Sequence, residues 1–399
     1  MSRRDRVGRV LVVYGTRPEA IKTAPMVTEM DRSAALEVVV AVTGQHREML
    51  DPVNALFGIV PRHDLDVIRP RQGLTDITTR TLQGLAEVIE TEGPDAVVVQ
   101  GDTTSAFAAS LAAFYARIPV VHLEAGLRTD DRYSPFPEEI NRRLTGQLAS
   151  LHLAPTPVAR GNLLREGVAP DDVVVTGNTV IDALLAVVER RPPYRDPALE
   201  RHVAAGPVVL VTAHRRESWG EPMGRIGRAV ARLAALEPDA RFVLPAHRNP
   251  IVREALLPPL QGLRNVLICD PLDYGELVRL LSDCAVVLTD SGGIQEEAPS
   301  LGKPVLVLRE NSERPEALHA GVARLVGTDE DAIVDEVTRL LRDPAAHDAM
   351  ARAINPYGDG RAAPRAARAV EALLGVGRRL PDFVPEIPPV QHLPEGAFL

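Results

Sequence analysis

Two series of short apolar runs dominate the sequence, and segments with a helical pattern separate each run from the next. The first series is RVLVVYG, LEVVVAVTG, DAVVVQGD, IPVVHLEAG and DVVVTGN; the second is GPVVLVTAH, ARFVLPAH, NVLICDP, CAVVLTDSGG and KPVLVLRE. Strands that are buried on both faces give such runs of valine, isoleucine and leucine, because helices cover a parallel sheet on both sides. The sequence therefore predicts an α/β fold with two consecutive parallel-sheet domains.

The 399 residues suffice for two domains that each have their own core. The best candidate linker is DALLAVVERRPPYRDPALERHVAAG, where a helical pattern runs into a stretch rich in proline and arginine. We place one Rossmann-like domain at residues 1–195, a second at 196–360, a helix at 361–375 and a proline-rich, extended or disordered tail at 376–399. Ligands bind beyond the carboxyl ends of strands in open parallel sheets, so we expect the two sheets to face a central cleft.

Charge and composition exclude several classes of partner. The net charge of −9 and the lack of a basic run argue against a nucleic-acid or membrane surface. The two cysteines, Cys269 and Cys284, are too few and too far apart for a disulfide framework or a zinc-finger spacing. The first apolar run soon meets charged residues and predicts a buried strand, not a signal peptide, so we expect a cytoplasmic protein.

The segment GTRPEAIK predicts a strand, a turn and a helix that begins at a proline. The amino end of a helix attracts anions, and Arg17 and Lys22 would both reach a phosphate there. Lysine occurs only at Lys22 and Lys303, so each position either needs a compact ammonium group or has kept its lysine by chance. The alternative is a solvated helix start without a ligand.

Three acids follow buried strands or begin a helix, in the segments GDTT, HLEAG and SPFPEEINR. They are Asp102, Glu124 and Glu138, and a parallel sheet would bring them to the same edge. Clustered carboxylates raise one another's pKa, as a general acid or base requires. The structural alternatives are a helix cap for Asp102, an arginine partner for Glu124 and interaction with the helix dipole for Glu138.

The second half has a cationic and a glycine-rich segment that each follow a predicted strand. His214 and Arg215 follow PVVLVTA, and the structural alternative for His214 is a histidine fixed by Glu217. The segment TDSGGIQEEA predicts a helix whose free N–H groups hold a diphosphate without a metal. The candidate ligands of a nucleotide there are Ser291, Gly292, Gly293 and Glu297, the last for the ribose hydroxyls.

Together, GTRPEAIK, GDTTS, HLEAGLRT, SPFPEEINRRLTG, VTGNTVIDAL, TAHRRESWG, TDSGGIQEEAPSLGKPVLVLRE and ERPEA resemble the non-hydrolysing UDP-N-acetylglucosamine 2-epimerases. The resemblance covers residues 9–345. It implies a glycosyltransferase-B-like fold whose C-terminal helix crosses back to the first domain. It also implies substrate contacts and catalytic residues: Arg17, Lys22, Ser291, Gly292, Gly293, Glu297 and Arg314 for binding, and Asp102, Glu124, Glu138 and His214 for catalysis.

The reaction that the resemblance implies is elimination of UDP from a UDP-linked 2-acetamido sugar, followed by re-addition to a 2-acetamidoglucal intermediate. It requires no metal and no nicotinamide cofactor. The family also suggests a homodimer and activation by a second UDP-N-acetylglucosamine molecule. The residues in matching motifs for that activation are Gln45, Arg71, Arg215 and His247.

Other functions fit the same architecture. A glycosyltransferase would need an acceptor pocket, and a hydrolysing epimerase would release free N-acetylmannosamine. An epimerase of a modified UDP-2-acetamido sugar would share every motif, because none of them reads the substituents at C3 and C6. A nucleotide-sugar sensor would not need the three acids.

Overall fold

The computed structural model describes residues 7–44, 47–69, 72–312 and 314–385. The chain divides into two compact units. The first unit contains the chain up to Leu185 together with Tyr357–Val384, and the second contains Ala186–Pro356. One helix, Thr179–Arg190, spans the first division.

The first unit is built on a sheet of seven parallel strands. The strands are β1 (Gly8–Tyr14), β2 (Leu36–Val42), β3 (His63–Asp64), β4 (Ala96–Gln100), β5 (Val120–Leu123), β6 (Leu151–Ala154) and β7 (Val173–Val175). Their order in the sheet is β3, β2, β1, β4, β5, β6, β7. Val12 in β1 lies beside Val40 and Val98 on its two neighbours, which explains why consecutive positions in the middle of these runs are apolar.

Helices connect these strands and cover both faces of the sheet. They are α1 (Arg17–Asp31), α2 (Arg47–Phe57), α3 (Leu74–Glu92), α4 (Thr104–Tyr115), α5 (Glu138–Leu148), α6 (Pro157–Arg165) and α7 (Thr179–Arg190). Leu85 of α3 and Ala109 of α4 pack with Leu11 and Val97 in one fully buried cluster. The small residues of α4 allow that helix to lie close to the sheet and to α3.

A helix near the carboxyl end of the chain, α16 (Ala362–Leu373), belongs to the first unit, as the crossing-back prediction requires. The carboxylate of Asp182 accepts hydrogen bonds from the backbone N–H groups of Ala362 and Ala363, at 3.1 and 2.8 Å. At the other end of α16, the hydroxyl of Ser33 donates to Glu371 at 2.7 Å. Both ends of the returning helix are therefore held by side chains from the first half of the chain.

The described start of the proline-rich tail also packs on the first unit. The backbone N–H of Phe383 donates to the carbonyl of Val175 in β7 at 2.7 Å, and the ring is buried. The guanidinium of Arg365 lies 5.4 Å from the centre of that ring. This part of the predicted tail is thus extended and ordered by packing, whereas residues 386–399 lie outside the described residues.

The second unit is built on a sheet of six parallel strands. The strands are β8 (Val208–Thr212), β9 (Arg241–Pro245), β10 (Val266–Cys269), β11 (Val286–Thr289), β12 (Val305–Val307) and β13 (Ala323–Leu325), in the order β10, β9, β8, β11, β12, β13. The helices are α8 (Pro197–Val203), α9 (Glu221–Leu236), α10 (Pro250–Leu256), α11 (Tyr274–Asp283), α12 (Gly292–Glu297), α13 (Pro315–His319), α14 (Glu330–Arg342) and α15 (Pro344–Ala351).

The core of the second unit lies between its sheet and the apolar stripes of α9 and α14. Ile226 and Leu233 of α9 and Ile333 of α14 pack on Leu288 and Phe242 of the sheet, all of them fully buried. The two-domain α/β prediction is thereby confirmed. Among the helices of the described residues, none combines the length and the apolar character needed to cross a bilayer.

Candidate active site

The GTRPEAIK segment forms the turn after β1 and the start of α1. Thr16 is the helix cap, and Arg17 is an exposed first residue of the helix. A side chain at Gly15 would place its Cβ 1.9 Å from the hydroxyl of Thr43, so only glycine fits between the two strand ends. The sequence therefore forms the predicted strand, turn and helix here, with Arg17 presented to solvent at a helix amino end.

Glu124 lies directly after β5 and is held by three side chains from three other elements. The ammonium of Lys22 and the amide of Gln100 donate to its two carboxylate oxygens, and the amide of Asn178 donates at 3.1 Å. Its backbone has a positive φ of 63°, a left-handed conformation that is uncommon for a residue other than glycine. The expected arginine alternative is wrong: the cationic partner is Lys22, one of only two lysines in the chain.

Asp102 follows β4 and forms an ion pair with Arg142 of α5. Arg142 donates to Oδ2 at 3.1 Å from Nε and at 2.5 Å from a terminal nitrogen. Burial raises the pKa of Asp102 above its ordinary value, and the nearby Glu124 raises it further, while Arg142 and Lys22 act in the opposite direction. The two acids are therefore close enough to influence each other, which the sequence predicted from their positions at neighbouring strand ends.

A buried histidine supports the turn that carries Asp102. The Nε2 atom of His122 lies 2.7 Å from the carbonyl oxygen of Gly101 and must donate to it. Burial lowers the pKa of His122 to about 3, so the ring is neutral near neutral pH. The turn therefore has a fixed donor that does not change its charge when the acids titrate.

The neighbouring acids at the start of α5 have different environments. Glu139 is completely buried and accepts hydrogen bonds from Thr129, Arg142 and Arg143. Glu138 is half-buried, and within the described residues it has no hydrogen bond or ion pair. The structural role therefore belongs to Glu139, and Glu138 has a carboxylate available for other contacts at the first turn of α5.

In the second unit, His214 is fixed by Asp290 and not by Glu217, so that prediction of its partner is wrong. The Nδ1 atom of His214 lies 3.0 Å from Oδ1 of Asp290, while Oδ2 accepts the backbone N–H groups of His214 and Arg215 at 2.6 and 2.7 Å. Glu217 instead accepts from Arg309 at 2.5 Å. Asp290 is completely buried at the end of β11, where a buried carboxylate requires such donors.

These contacts determine the charge of Asp290. Burial opposes ionisation of this carboxylate, but the imidazole of His214 and the two backbone N–H groups outweigh it and lower the pKa of Asp290. The rings of His214 and His247 stack with their centres 5.8 Å apart. Burial and the neighbouring His214 lower the pKa of His247.

The glycine-rich segment forms the predicted start of α12, with Ser291 as the residue before the helix. A Cβ at Gly292 would lie 3.7 Å from a terminal nitrogen of Arg215 and 3.8 Å from the guanidinium carbon of Arg314. Two guanidinium groups thus stand beside the free N–H groups of one helix start. Such an arrangement suits a diphosphate, because the helix dipole, the N–H groups and the cations all favour negative charge.

The last predicted nucleotide ligand, Glu297, lies at the end of α12 and is buried. The hydroxyl of Tyr274 donates to its carboxylate at 3.0 Å, and burial raises the pKa of Tyr274 well above its ordinary value. Gly293 faces this carboxylate, because a Cβ there would lie 4.0 Å from Oε2 of Glu297. The tyrosine fixes one carboxylate oxygen of Glu297 through a neutral hydroxyl.

Several residues of these clusters did not stand out in the sequence. Gln100 ends a strand, Asn178 lies in the VTGN segment, and Glu296, which pairs with Arg314, is hidden beside Glu297. Arg142 could have been found, because it lies one helical turn after Glu138. The predicted activator residues Gln45 and Arg71 lie outside the described residues.

Within the described ranges, His, Cys, Asp and Glu side chains form no group of three or more that could hold a metal ion. The carboxyl ends of both sheets instead carry hydrogen-bonded acids, cations and one glycine-rich helix start.

A crystal structure of UDP-GlcNAc 2-epimerase from Neisseria meningitidis bound to UDP-GlcNAc matches with a TM-score of 0.82 and 47% identity, over 92% of this chain and 100% of that chain. The fold is therefore the two-domain, glycosyltransferase-B-like α/β architecture of that class of enzyme.

The family model described as UDP-N-acetylglucosamine 2-epimerase matches residues 28–371. UDP-N-acetylglucosamine 2-epimerase of Escherichia coli K12 is 53% identical over 371 residues, covering 91% of this chain and 98% of that protein. The protein of the same name from Yersinia pestis is 53% identical over 369 residues, with the same coverage of 91% and 98%. The chain belongs to the UDP-N-acetylglucosamine 2-epimerase family, as its motifs predicted.

Proposed function

We propose that the chain reversibly converts UDP-N-acetylglucosamine into UDP-N-acetylmannosamine, without hydrolysis and without a metal or nicotinamide cofactor. The observation that carries this proposal is the pair of acids Asp102 and Glu124. They are electrostatically linked, and each has its own cation, Arg142 or Lys22. Membership of the family supports the choice of substrate.

The proposed nucleotide contacts lie mainly in the second unit. The diphosphate would accept hydrogen bonds from the start of α12 at Ser291, Gly292 and Gly293, with Arg314 beside it. The carboxylate of Glu297 would accept the ribose hydroxyls. The family resemblance also gives Arg17 and Lys22 of α1 as substrate contacts. His214, held by Asp290, would stabilise the departing group.

In the first step, a carboxylate removes the proton from C2. The electrons of the C2–H bond form the C1=C2 double bond, and the bond from C1 to the UDP oxygen breaks with its electron pair leaving on UDP. The product is 2-acetamidoglucal. Protonation of C2 on the opposite face and attack of UDP on C1 complete the epimerisation, so every atom of the substrate is recovered.

We assign the two proton transfers to Asp102 and Glu138. Asp102 has a raised pKa and a fixed position, and Glu138 is the half-buried acid at the start of α5. Glu124 is the third acid, which transfers a proton or holds the sugar through its network with Lys22, Gln100 and Asn178. A general acid and a general base with different environments suit a reaction that needs both at one pH.

Further parts of the proposal follow the family resemblance. They are a cytoplasmic homodimer and activation by a second UDP-N-acetylglucosamine molecule through Gln45, Arg71, Arg215 and His247. Two of these residues are supported by their positions, because Arg215 borders Gly292 and His247 stacks on His214.

The proposal is tested by incubating the purified chain with UDP-N-acetylglucosamine in the presence of a chelator and without any acceptor. Appearance of UDP-N-acetylmannosamine, with total UDP-sugar conserved, is the expected result. Release of UDP with free N-acetylmannosamine would contradict it in favour of a hydrolysing enzyme. Turnover only of a modified UDP-sugar, or only with an added acceptor, would contradict the assigned substrate or the reaction type.

A further inference from the structure

One buried carboxylate, that of Glu19, connects the two turns that carry Arg17 and Asp102. Its Oε2 atom accepts the backbone N–H groups of Gly15 and Thr16, at 2.9 and 2.7 Å. Its Oε1 atom accepts the hydroxyl of Thr103 at 2.6 Å. The two oxygens of the same side chain are therefore bound to different loops of the first unit.

The position of Thr103 makes this contact relevant to Asp102. Thr103 directly follows Asp102, and its hydroxyl oxygen also accepts the N–H of Ala106 at 3.0 Å, which caps α4. The hydroxyl thus donates to Glu19 and accepts from Ala106. Both bonds fix Thr103, which lies next to the proposed proton-transfer acid Asp102. Movement of Thr103 would move the Asp102 backbone with it.

The burial of Glu19 exceeds what capping of α1 needs. A glutamate at this helix position commonly accepts the N–H of the cap residue from the protein surface. Here the side chain is only 1% exposed, and burial raises its pKa. Burying a carboxylate is costly unless donors surround it, and the third donor comes from Thr103 in the other turn.

We propose that Glu19 is a positioning residue for epimerisation, which holds the Arg17 turn and the Asp102 turn at a fixed separation. This inference rests on the proposed function. Glu19 is buried and acts through the residues it binds, which are Gly15 and Thr16 in one turn and Thr103 in the other. A misplacement of about 1 Å at a reacting group costs roughly a hundredfold in rate.

The sharpest test removes only the hydroxyl of Thr103. T103V keeps the branched shape but loses both the bond to Glu19 and the cap of α4, and T103S keeps the hydroxyl and both bonds. The matched control is T156V, because Thr156 is a buried threonine that caps α6 through the N–H of Ala159 at 3.2 Å. We expect T103V to lower kcat by roughly a hundredfold, T103S to restore it to within about threefold, and T156V to leave it unchanged.

Variants at Glu19 give an independent reading. E19Q retains an oxygen acceptor for Gly15 and Thr16 and a polar group toward Thr103, whereas E19A loses all three bonds. We expect E19A to lose kcat to the same extent as T103V and E19Q to retain most of it. The Kd of T103V for UDP should stay within about threefold of wild type, because the proposed UDP contacts lie mainly in the second unit.

The outcomes are distinguishable. A loss of kcat in T103V that is no larger than that in T156V, in an active wild-type background, would overturn the positioning role and leave the proposed function intact. A wild-type chain that does not epimerise would overturn both. Recovery in T103S together with a loss in E19A would support the positioning role, because a general loss of stability would not follow the hydroxyl.

Discussion

Arg142 donates two hydrogen bonds to the same carboxylate oxygen of Asp102, at 3.1 and 2.5 Å. This pairing opposes the effect of burial, which raises the pKa of Asp102. The balance between the two determines the pH range in which Asp102 can accept a proton. Arg142 therefore influences the pKa of Asp102 without itself transferring a proton.

Removal of this guanidinium should raise the pKa of Asp102 further. In R142Q, we expect the limb of the kcat–pH profile that reports Asp102 to move to higher pH, because the cation no longer favours the carboxylate. The control is R143Q, since Arg143 binds Glu139 and Glu166 but does not contact Asp102. An unshifted limb in R142Q, or an equal shift in R143Q, would contradict this prediction.

Gly292 and Gly15 should respond differently to the same substitution. At Gly292 the nearest side-chain atoms would lie 3.7 Å or more from an added Cβ, so the protein has room for alanine. The methyl group would instead stand where the diphosphate is proposed to approach. We expect G292A to weaken UDP binding by roughly tenfold, measured by calorimetry, without a loss of thermal stability. Unchanged affinity would argue against a diphosphate at α12.

At Gly15 the effect should be on stability. Alanine would place its Cβ 1.9 Å from the hydroxyl of Thr43, and overpacking of this kind costs about 1–3 kcal/mol of unfolding free energy. T43A should relieve the clash in a G15A background, and T43V should not, because valine keeps a branch at the same place. Denaturant unfolding of the single and double variants measures this coupling. Additive effects would contradict it.

The fold and the family were predictable from the sequence, while the contacts within the site were not. Continuous apolar runs predicted ten strands, but β3, β6 and β13 were missed. Both residues of β3 (His63–Asp64) are polar, and β6 (Leu151–Ala154) and β13 (Ala323–Leu325) are short runs that each contain one polar residue. Strand ends also predicted that Asp102 and Glu124 would be neighbours.

The partners of these residues depend on tertiary packing. His214 lies three residues from Glu217 in the chain, yet it pairs with Asp290, because β8 and β11 are adjacent in the sheet. Nothing in the local sequence distinguishes these two acids. In the same way, the identity of Lys22 as the cation of Glu124 follows from the sheet order β1, β4, β5, which brings α1 to the end of β5.

Asp182 should make the stability of the fold depend on pH. Burial raises the pKa of Asp182 from 3.8 to about 6, so the native state binds this proton more tightly than the unfolded chain. The contribution of Asp182 to the free energy of unfolding is therefore most favourable below about 3.8, the pKa of this group in the unfolded chain. It is lost as the pH rises through about 6.

The variant D182N isolates this contribution, because asparagine keeps an acceptor for the start of α16 but does not titrate. We expect the unfolding free energy of wild type, relative to D182N, to increase by about 2 kcal/mol as the pH falls from about 7 to about 4. Denaturant unfolding of both proteins at each pH measures the difference. A decrease over that range would show that the N–H groups of α16 lower the pKa of Asp182 instead.

The proposed reaction begins with removal of the C2 proton by an acid of the first unit. The most direct measurement is NMR of the chain with UDP-N-acetylglucosamine in heavy water, without added metal, nicotinamide or acceptor, for wild type and for D102N. We predict deuterium at C2 in both UDP-linked epimers with wild type and a loss of that exchange by roughly a hundredfold or more in D102N. Epimers that retain the C2 proton, or undiminished exchange in D102N, would contradict the account.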